Sequence, residues 1–355
     1  MKQKILISTG GSGGHIIPAE IINDHLKYKF DVVISTDLRG YKFINKDLGK
    51  ILIIDTPKLI FDFFIVFRLF KIFYLTLKTY FYLRKNNIKK IFSTGGYMSL
   101  PVCLGGKLLG LEIYLLEPNF VLGRANKFFL NFSKLIFCYT DKLKNFPKKY
   151  IEKIKIIPPL VKKEFYDKKV PVNLSKKFCF LIVGGSQGAK IFDDIIHQTI
   201  IKLSQKHEIK VIQQTNINNI KNLQSTYRKN DIECITFDFE KKFIDLVDQS
   251  DLCITRAGAS TLGELSVMNK PFLAVPLASS KDNHQFENAK FYHSLGCCWI
   301  LDQMNFDDKK LVTLLDNLLT DKSDFLNKKD NLKKLNYQNS WNNVNQKLLE
   351  SINEN

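Results

Sequence analysis

A strand, a glycine turn and a helix follow one another twice in this chain. Lys4–Thr9 is an apolar run that opens into Gly10-Gly11-Ser12-Gly13-Gly14 and then a helical pattern. Phe178–Val183 opens into Gly184-Gly185-Ser186-Gln187-Gly188 and another helical pattern. Such a junction begins a βαβ unit, so each half should build a parallel sheet. The remaining apolar runs agree. Asp31–Thr36, Lys50–Asp55, Lys89–Thr94 and Glu112–Glu117 read as buried strands of the first half. Lys210–Thr215, Glu233–Phe237, Leu252–Thr255, Phe272–Val275 and Cys298–Leu301 read as strands of the second. The expected class is α/β, with two Rossmann-like domains and helices on both sheet faces. A length of 355 residues accommodates two such domains. The alternation pauses at Pro158-Pro159, and polar, irregular Lys168–Lys177 is the linker candidate. The expected domains are residues 1–160 and 161–336. A polar helical tail carries the isolated Trp341, and a helix over about 337–355 is expected to pack back on the first domain.

Glycine reaches positive φ and lets a ligand approach the backbone. A helix N-terminus adds N–H groups without helical partners and a partial positive charge. Together these make an anion site, above all for phosphate; for any one loop a tight turn is the alternative. The spacing fits neither G-x-x-x-x-G-K-[ST] nor a G-x-G-x-x-G followed by an acid about 20 residues on. Gly95-Gly96-Tyr97 is a third glycine-rich exit from a strand. Turns alone do not account for three, because ligands of open α/β sheets bind at the strand C-termini. The two halves are expected to enclose a cleft between these edges. His15 would project beside the first loop, where an imidazole suits a general base; a structural histidine is the alternative. In the second half Thr255–Glu264 is strand, small-residue turn and helix. It reads either as a capping box, Thr261-x-x-Glu264, or as a nucleotide site with Glu264 accepting from ribose hydroxyls. Asp282-x-x-Gln285 is likewise a capping box or a sugar site using His284 and Gln285, with Asn288 and Ala289 on the same helix.

Lys and Arg number 53 against 35 Asp and Glu, a net charge of +18. That calls for nucleic acid, an anionic membrane surface or a phosphorylated substrate. No RNP-type strand or recognition helix is present, so nucleic acid drops out. Leu59–Leu83 is apolar and aromatic and long enough to span a bilayer, but Asp62, Arg68, Lys71 and Lys78 interrupt it. Arg68, Lys71, Lys78 and Thr79 fall within an arc of roughly 100°. The expectation is an amphipathic helix lying in a membrane interface, with Phe64, Phe67, Arg68, Lys71 and Lys78 in contact. A core helix of the first domain is the alternative and uses part of this face. Eight basic residues and one acid between Lys58 and Lys90 favour anionic phospholipid. Seven scattered cysteines without a C-x-x-C pair exclude a zinc ribbon and a disulfide framework, and fit reduced thiols in a cytosolic protein. MKQKILIST carries no cleavable signal pattern.

Six segments in order resemble the MurG family of peptidoglycan N-acetylglucosaminyltransferases (glycosyltransferase family 28). They are GGSGGHIIPA (10–19), STGGYMSLP (93–101), EPNFVLGRANK (117–127), GGSQGAK (184–190), TRAGASTLGE (255–264) and KPFLAVPLASSKDNHQFENA (270–289). The resemblance implies a GT-B fold and transfer of GlcNAc from UDP-GlcNAc to the C4 hydroxyl of lipid I. The product is lipid II, formed with inversion and with no metal or other cofactor. It implies that His15 is the base, and that Gly13, Gly14, Gly95, Gly96 and Tyr97 face the acceptor diphosphate. Ser12, Gly13, Gly14, Asn119, Ser186, Gln187, Gly188, Ala259, Ser260, Glu264, His284 and Gln285 would bind UDP-GlcNAc. It implies peripheral attachment at the cytoplasmic face of the bacterial inner membrane, beside other membrane-associated cell-wall enzymes. The absence of a D-x-D-type acidic pair at a strand end agrees with metal independence. The sequence departs from the family at Leu116, where a His is usual, at Pro118, and at Val161, where an Arg is usual; Lys162 or Lys163 would substitute. His284 replaces a Gln. Rival readings are another UDP-sugar GT-B enzyme, such as a glycolipid glycosyltransferase or a UDP-GlcNAc 2-epimerase, and a catalytically impaired relative.

Overall fold

A computed structural model describes residues 2–60, 62–168, 177–185 and 190–353. They form two compact units, one comprising the chain up to Val161 with the segment from Trp341, the other running Lys162–Ser340.

The first unit contains β1 (Lys4–Ser8), α1 (Gly13–Leu26), β2 (Asp31–Thr36), β3 (Lys50–Ile53), α2 (Ile65–Lys85), β4 (Ile88–Ser93), α3 (Leu100–Leu108), β5 (Glu112–Glu117), α4 (Arg124–Phe129), β6 (Leu135–Cys138) and β7 (Ile154–Ile156). All pairings are parallel, in the order β3-β2-β1-β4-β5-β6-β7. Ile5, Leu6 and Ile7 of β1 are fully buried, as a strand covered on both faces requires. The strand order reverses direction between β1 and β4. The Gly10–Gly14 loop leaves β1 and the Gly95–Gly96 loop leaves β4, so the two flank the switch point where such sheets bind ligands. The second unit contains α5 (Lys163–Asp167), β8 (Phe178–Val183), α6 (Lys190–Ser204), β9 (Ile209–Gln214), α7 (Ile220–Arg228), β10 (Glu233–Phe237), α8 (Phe243–Gln249), β11 (Leu252–Thr255), α9 (Ala259–Val267), β12 (Phe272–Ala274), α10 (His284–Ser294), β13 (Cys298–Ile300), α11 (Asp308–Thr320) and α12 (Ser323–Leu335). Its order, β10-β9-β8-β11-β12-β13, puts the exits of β8 and β11 at the corresponding switch point.

α13 (Trp341–Asn353) belongs to the first unit. Trp341 stacks on His25 of α1 at 3.7 Å between ring centroids, and Asn345 Oδ1 lies 3.2 Å from His25 Nδ1. Lys90 Nζ, 2.5 Å from Glu112, also donates to the carbonyl of Ile352 at 2.7 Å. A buried cation thus caps the last turn of the helix.

β6 and β7 were not among the expected strands. Each is very short, and runs of four and three residues carry no usable period. Of the proposed linker, 169–176 lie outside the described residues, while Lys168 pairs with Asp245 and Asp248 at 2.7 and 3.2 Å.

The polar arc expected on α2 needs correction. The helix buries Ile72, Leu75, Thr76, Thr79 and Leu83. Thr79, expected on the polar arc, is buried and donates to the Leu75 carbonyl at 2.7 Å; Thr76 does the same to Ile72 at 2.8 Å. Those bonds let hydroxyls face the core. On α3, a Cβ at Gly105 would lie 3.1 Å from the Tyr80 nitrogen, so glycine allows the two helices to approach closely. Phe64, Val66, Phe67, Phe70, Phe73, Tyr74 and Phe81 are exposed, and Lys71 and Lys78 are exposed too. Arg68 is committed elsewhere, in a fork to Asp62 at 2.7 and 2.8 Å. Among the described residues no helix is long and apolar enough to cross a membrane. All seven cysteines are free thiols, and Cys234 alone is not fully buried.

Candidate active site

In the first unit Ser12 is the N-cap of α1, and its carbonyl accepts from His15 N at 3.0 Å and Ile16 N at 3.2 Å. Gly13 and Gly14 are the first two helical residues, where N–H groups have no partner within the helix. His15 follows in the same turn. Its Nδ1 lies 2.7 Å from the Thr94 carbonyl. A carbonyl only accepts, so Nδ1 carries the proton and Nε2 is the basic nitrogen. Gly95 and Gly96 adopt φ +85° and +83°. A Cβ on Gly96 would lie 3.4 Å from His15 Nε2 and would collide with Met98, so only glycine lets this loop run past the imidazole. The first-unit candidates His15, Gly13, Gly14, Gly95, Gly96 and Tyr97 therefore gather at one sheet edge.

Asn119 sits in the loop after β5, held by its neighbour. Glu117 Oε1 accepts from Asn119 N at 3.2 Å and Asn119 Nδ2 at 3.1 Å. Its Oε2 accepts from Gly123 N at 2.8 Å and Asn126 Nδ2 at 2.9 Å. Burial raises the carboxyl's pKa, against the pull of these donors. Leu116, where the family carries His, is fully buried.

The second unit repeats the plan. Ser186, Gln187 and Gly188 lie outside the described residues. The preceding Gly184 N donates to Gln214 Oε1 at 3.1 Å, and Gly185 takes φ +80°. At the neighbouring strand exit α9 starts at Ala259, with Gly258 as N-cap and no side-chain cap. Thr261 is thus inside the helix, and the capping-box reading of Thr261 and Glu264 fails. Ala259 and Ser260 supply first-turn N–H groups. Glu264 is buried, and desolvation raises its pKa from 4.5 to about 7; Lys162 opposes the shift and Glu164 adds to it. The second capping box fails as well. Asp282 and Asn283 both have positive φ, and α10 begins at His284 without a side-chain cap. Gln285 Oε1 instead accepts from Leu277 N at 2.9 Å, and Asn288 Nδ2 donates to the Ala257 carbonyl at 3.0 Å. These bonds tie the start of α10 to the loop after β12 and to the β11–α9 turn.

Sequence reasoning missed the residues that hold these loops: Asp37, Thr94, Glu117, Asn126 and Arg256. Arg256 is buried, donates to the Val275 carbonyl at 2.9 Å and lies over the Phe192 ring at 5.1 Å. Asp37 had one visible signal, its place immediately after a strand C-terminus. Among the described residues no group of three or more His, Cys, Asp or Glu side chains is placed to hold a metal ion.

The models of the glycosyltransferase family 28 N-terminal domain and C-terminal domain match residues 5–138 and 179–343. A UDP-N-acetylglucosamine–N-acetylmuramyl-(pentapeptide) pyrophosphoryl-undecaprenol N-acetylglucosamine transferase of Pelagibacter ubique is 48% identical, with 100% of each chain covered. The enzyme of the same name from the Brugia malayi Wolbachia is 31% identical over 94% of this chain and 95% of its own. Acinetobacter baumannii MurG superposes with a TM-score of 0.80 at 21% identity, covering 100% of both chains. A Neisseria meningitidis UDP-GlcNAc 2-epimerase bound to UDP-GlcNAc gives 0.68 at 11% identity, covering 99% of this chain and 100% of its own. At such identities the two structures speak for the fold, and the full-length sequence relatives for the family: this chain is a GT-B protein of glycosyltransferase family 28 and belongs to the MurG N-acetylglucosaminyltransferases.

Proposed function

We propose that the chain transfers GlcNAc from UDP-GlcNAc to the C4 hydroxyl of lipid I, giving lipid II. The observation that carries this reading is the orientation of His15. Its Nδ1 is bonded to Thr94, which makes Nε2 the proton acceptor beside two glycine loops suited to a diphosphate. In the reaction Nε2 takes the proton of the acceptor hydroxyl while that oxygen attacks the anomeric carbon. The new C–O bond forms with inversion as the bond to the donor's β-phosphate oxygen breaks, and UDP leaves with the electron pair. The first-turn N–H groups of α9 can meet the charge on the leaving diphosphate, so the reading needs no metal. Glu264 accepts from the ribose hydroxyls, with Lys162 nearby in place of the family's arginine; His284, Gln285 and Asn119 contact the sugar. Ser186, Gln187 and Gly188 complete the donor set from outside the described residues.

The same reading places the protein peripherally on the cytoplasmic face of the inner membrane. The exposed aromatic side of α2, bordered by Lys71 and Lys78, supports it.

The test is incubation with UDP-GlcNAc and a short-chain lipid I in the presence of EDTA, read by mass spectrometry as one added HexNAc. His15→Ala should lower kcat by about 10²–10⁴-fold with UDP-GlcNAc binding kept. UDP-ManNAc formed without acceptor would replace the reading with epimerisation. An unchanged kcat in the variant would remove His15 from the base role.

A further inference from the structure

Asp37 follows β2 and is 1% exposed, yet it lies outside every motif that marks the family. Its Oδ1 accepts from Gly11 N and Gly40 N, each at 2.8 Å. Its Oδ2 takes Arg39 Nη2 at 3.1 Å and Nε at 3.3 Å, and Tyr97 Oη at 3.4 Å. A Cβ on Gly10 would lie 2.6 Å from Oδ1, so the carboxylate fills space that glycine leaves open. One group therefore grips both glycine loops at the β1/β4 switch point. Burying a carboxylate costs several kcal/mol unless it is paired, and a neutral side chain could close this turn. The charge has a use beyond the turn, which is to hold Arg39.

The Arg39 side chain remains 44% exposed and lies over the Tyr97 ring at 5.3 Å. Of its five N–H groups, two go to Asp37, and the rest are left for a ligand. A guanidinium fixed by a carboxylate and a ring has already lost its rotamer freedom, so binding an anion costs little further entropy. Its planar fork matches phosphate oxygens.

We propose that Arg39 binds the acceptor's diphosphate and that Asp37 is the positioning residue that presents it. This rests on the reading that Gly13, Gly14, Gly95 and Gly96 face that diphosphate. Steady-state kinetics with UDP-GlcNAc and lipid I test it. Arg39→Met should raise the acceptor KM about tenfold or more with the donor KM unchanged, and Arg39→Lys should recover part of the loss. Asp37→Asn should raise the acceptor KM as well, and the double variant should be less impaired than the product of the two single effects, because both act through one ion pair. If Asp37→Asn does not fold, the two Arg39 variants decide. An acceptor KM for Arg39→Met within twofold of wild type, or an equal rise in both KM values, would overturn the proposal. Wild type that makes no lipid II would overturn the functional reading and this proposal with it; active wild type beside an unaffected Arg39→Met overturns this proposal alone.

Discussion

Glu264 is costly to the fold. Its carboxyl titrates near 4.5 in the unfolded chain and at about 7 when buried in α9. Below pH 4.5 both states hold the proton and nothing is lost. As pH rises from 4.5 to 7 the unfolded chain ionises first, so stability falls, reaching a penalty of about 3 kcal/mol above pH 7. Glu264→Gln should therefore melt higher than wild type at pH 8 and level with it at pH 4, by calorimetry. Its UDP-GlcNAc affinity should be weaker and flat with pH, whereas wild-type affinity rises through pH 7 as the carboxylate forms. Equal melting at pH 8 would refute the burial cost. Glu264 was legible because it sat in a motif with a strand before it and a helix after. Asp37 and Glu117 were not. Each works by accepting from backbone N–H groups, Asp37 from Gly11 on another loop and Glu117 from the loop that follows it, and only the folded chain shapes those contacts.

Among the elements, α2 shows where pattern reading works and where it slips. Helix and length were readable from a run of apolar residues with few charges. The outward placing of Phe64 and Phe67 was readable too, but the threonines of the buried side were not, because hydropathy alone assigns them to solvent. Thr76 and Thr79 face the core by bonding back to their own helix, and Gly105 draws α3 close to them. Most strands were legible for the opposite reason, since strands buried on both faces read as nearly continuous apolar runs. Phe67, Phe70, Phe73 and Phe81 are 68%, 68%, 62% and 62% exposed. Each would contribute about 1.5–3 kcal/mol if buried in lipid. Replacing the four with serine should abolish flotation with anionic vesicles while shifting the melting temperature little. Flotation equal to wild type would sink the membrane role of this face.

For the whole molecule, the telling feature is the return of α13 to the first unit. Val344, Leu348 and Ile352 are almost wholly buried there. At about 2–4 kcal/mol for each large aliphatic truncated, Leu348→Ala with Ile352→Ala should destabilise the first unit by several kcal/mol. Calorimetry should show its transition moving down while that of the second unit stays; an unmoved first transition would mean that α13 docks without stabilising. Trp341 was readable in the sequence as an anchor, but its partner His25 was not, because it lies 316 positions earlier and only the folded chain brings the two rings together. The order of synthesis follows from this return. The unit whose strands leave the ribosome first is the one that must wait for the last helix. Throughout translation of the second unit the seat of α13 on α1 stays uncovered. Until α13 emerges, the apolar surface that Val344, Leu348 and Ile352 will cover stays open to other segments of the nascent chain.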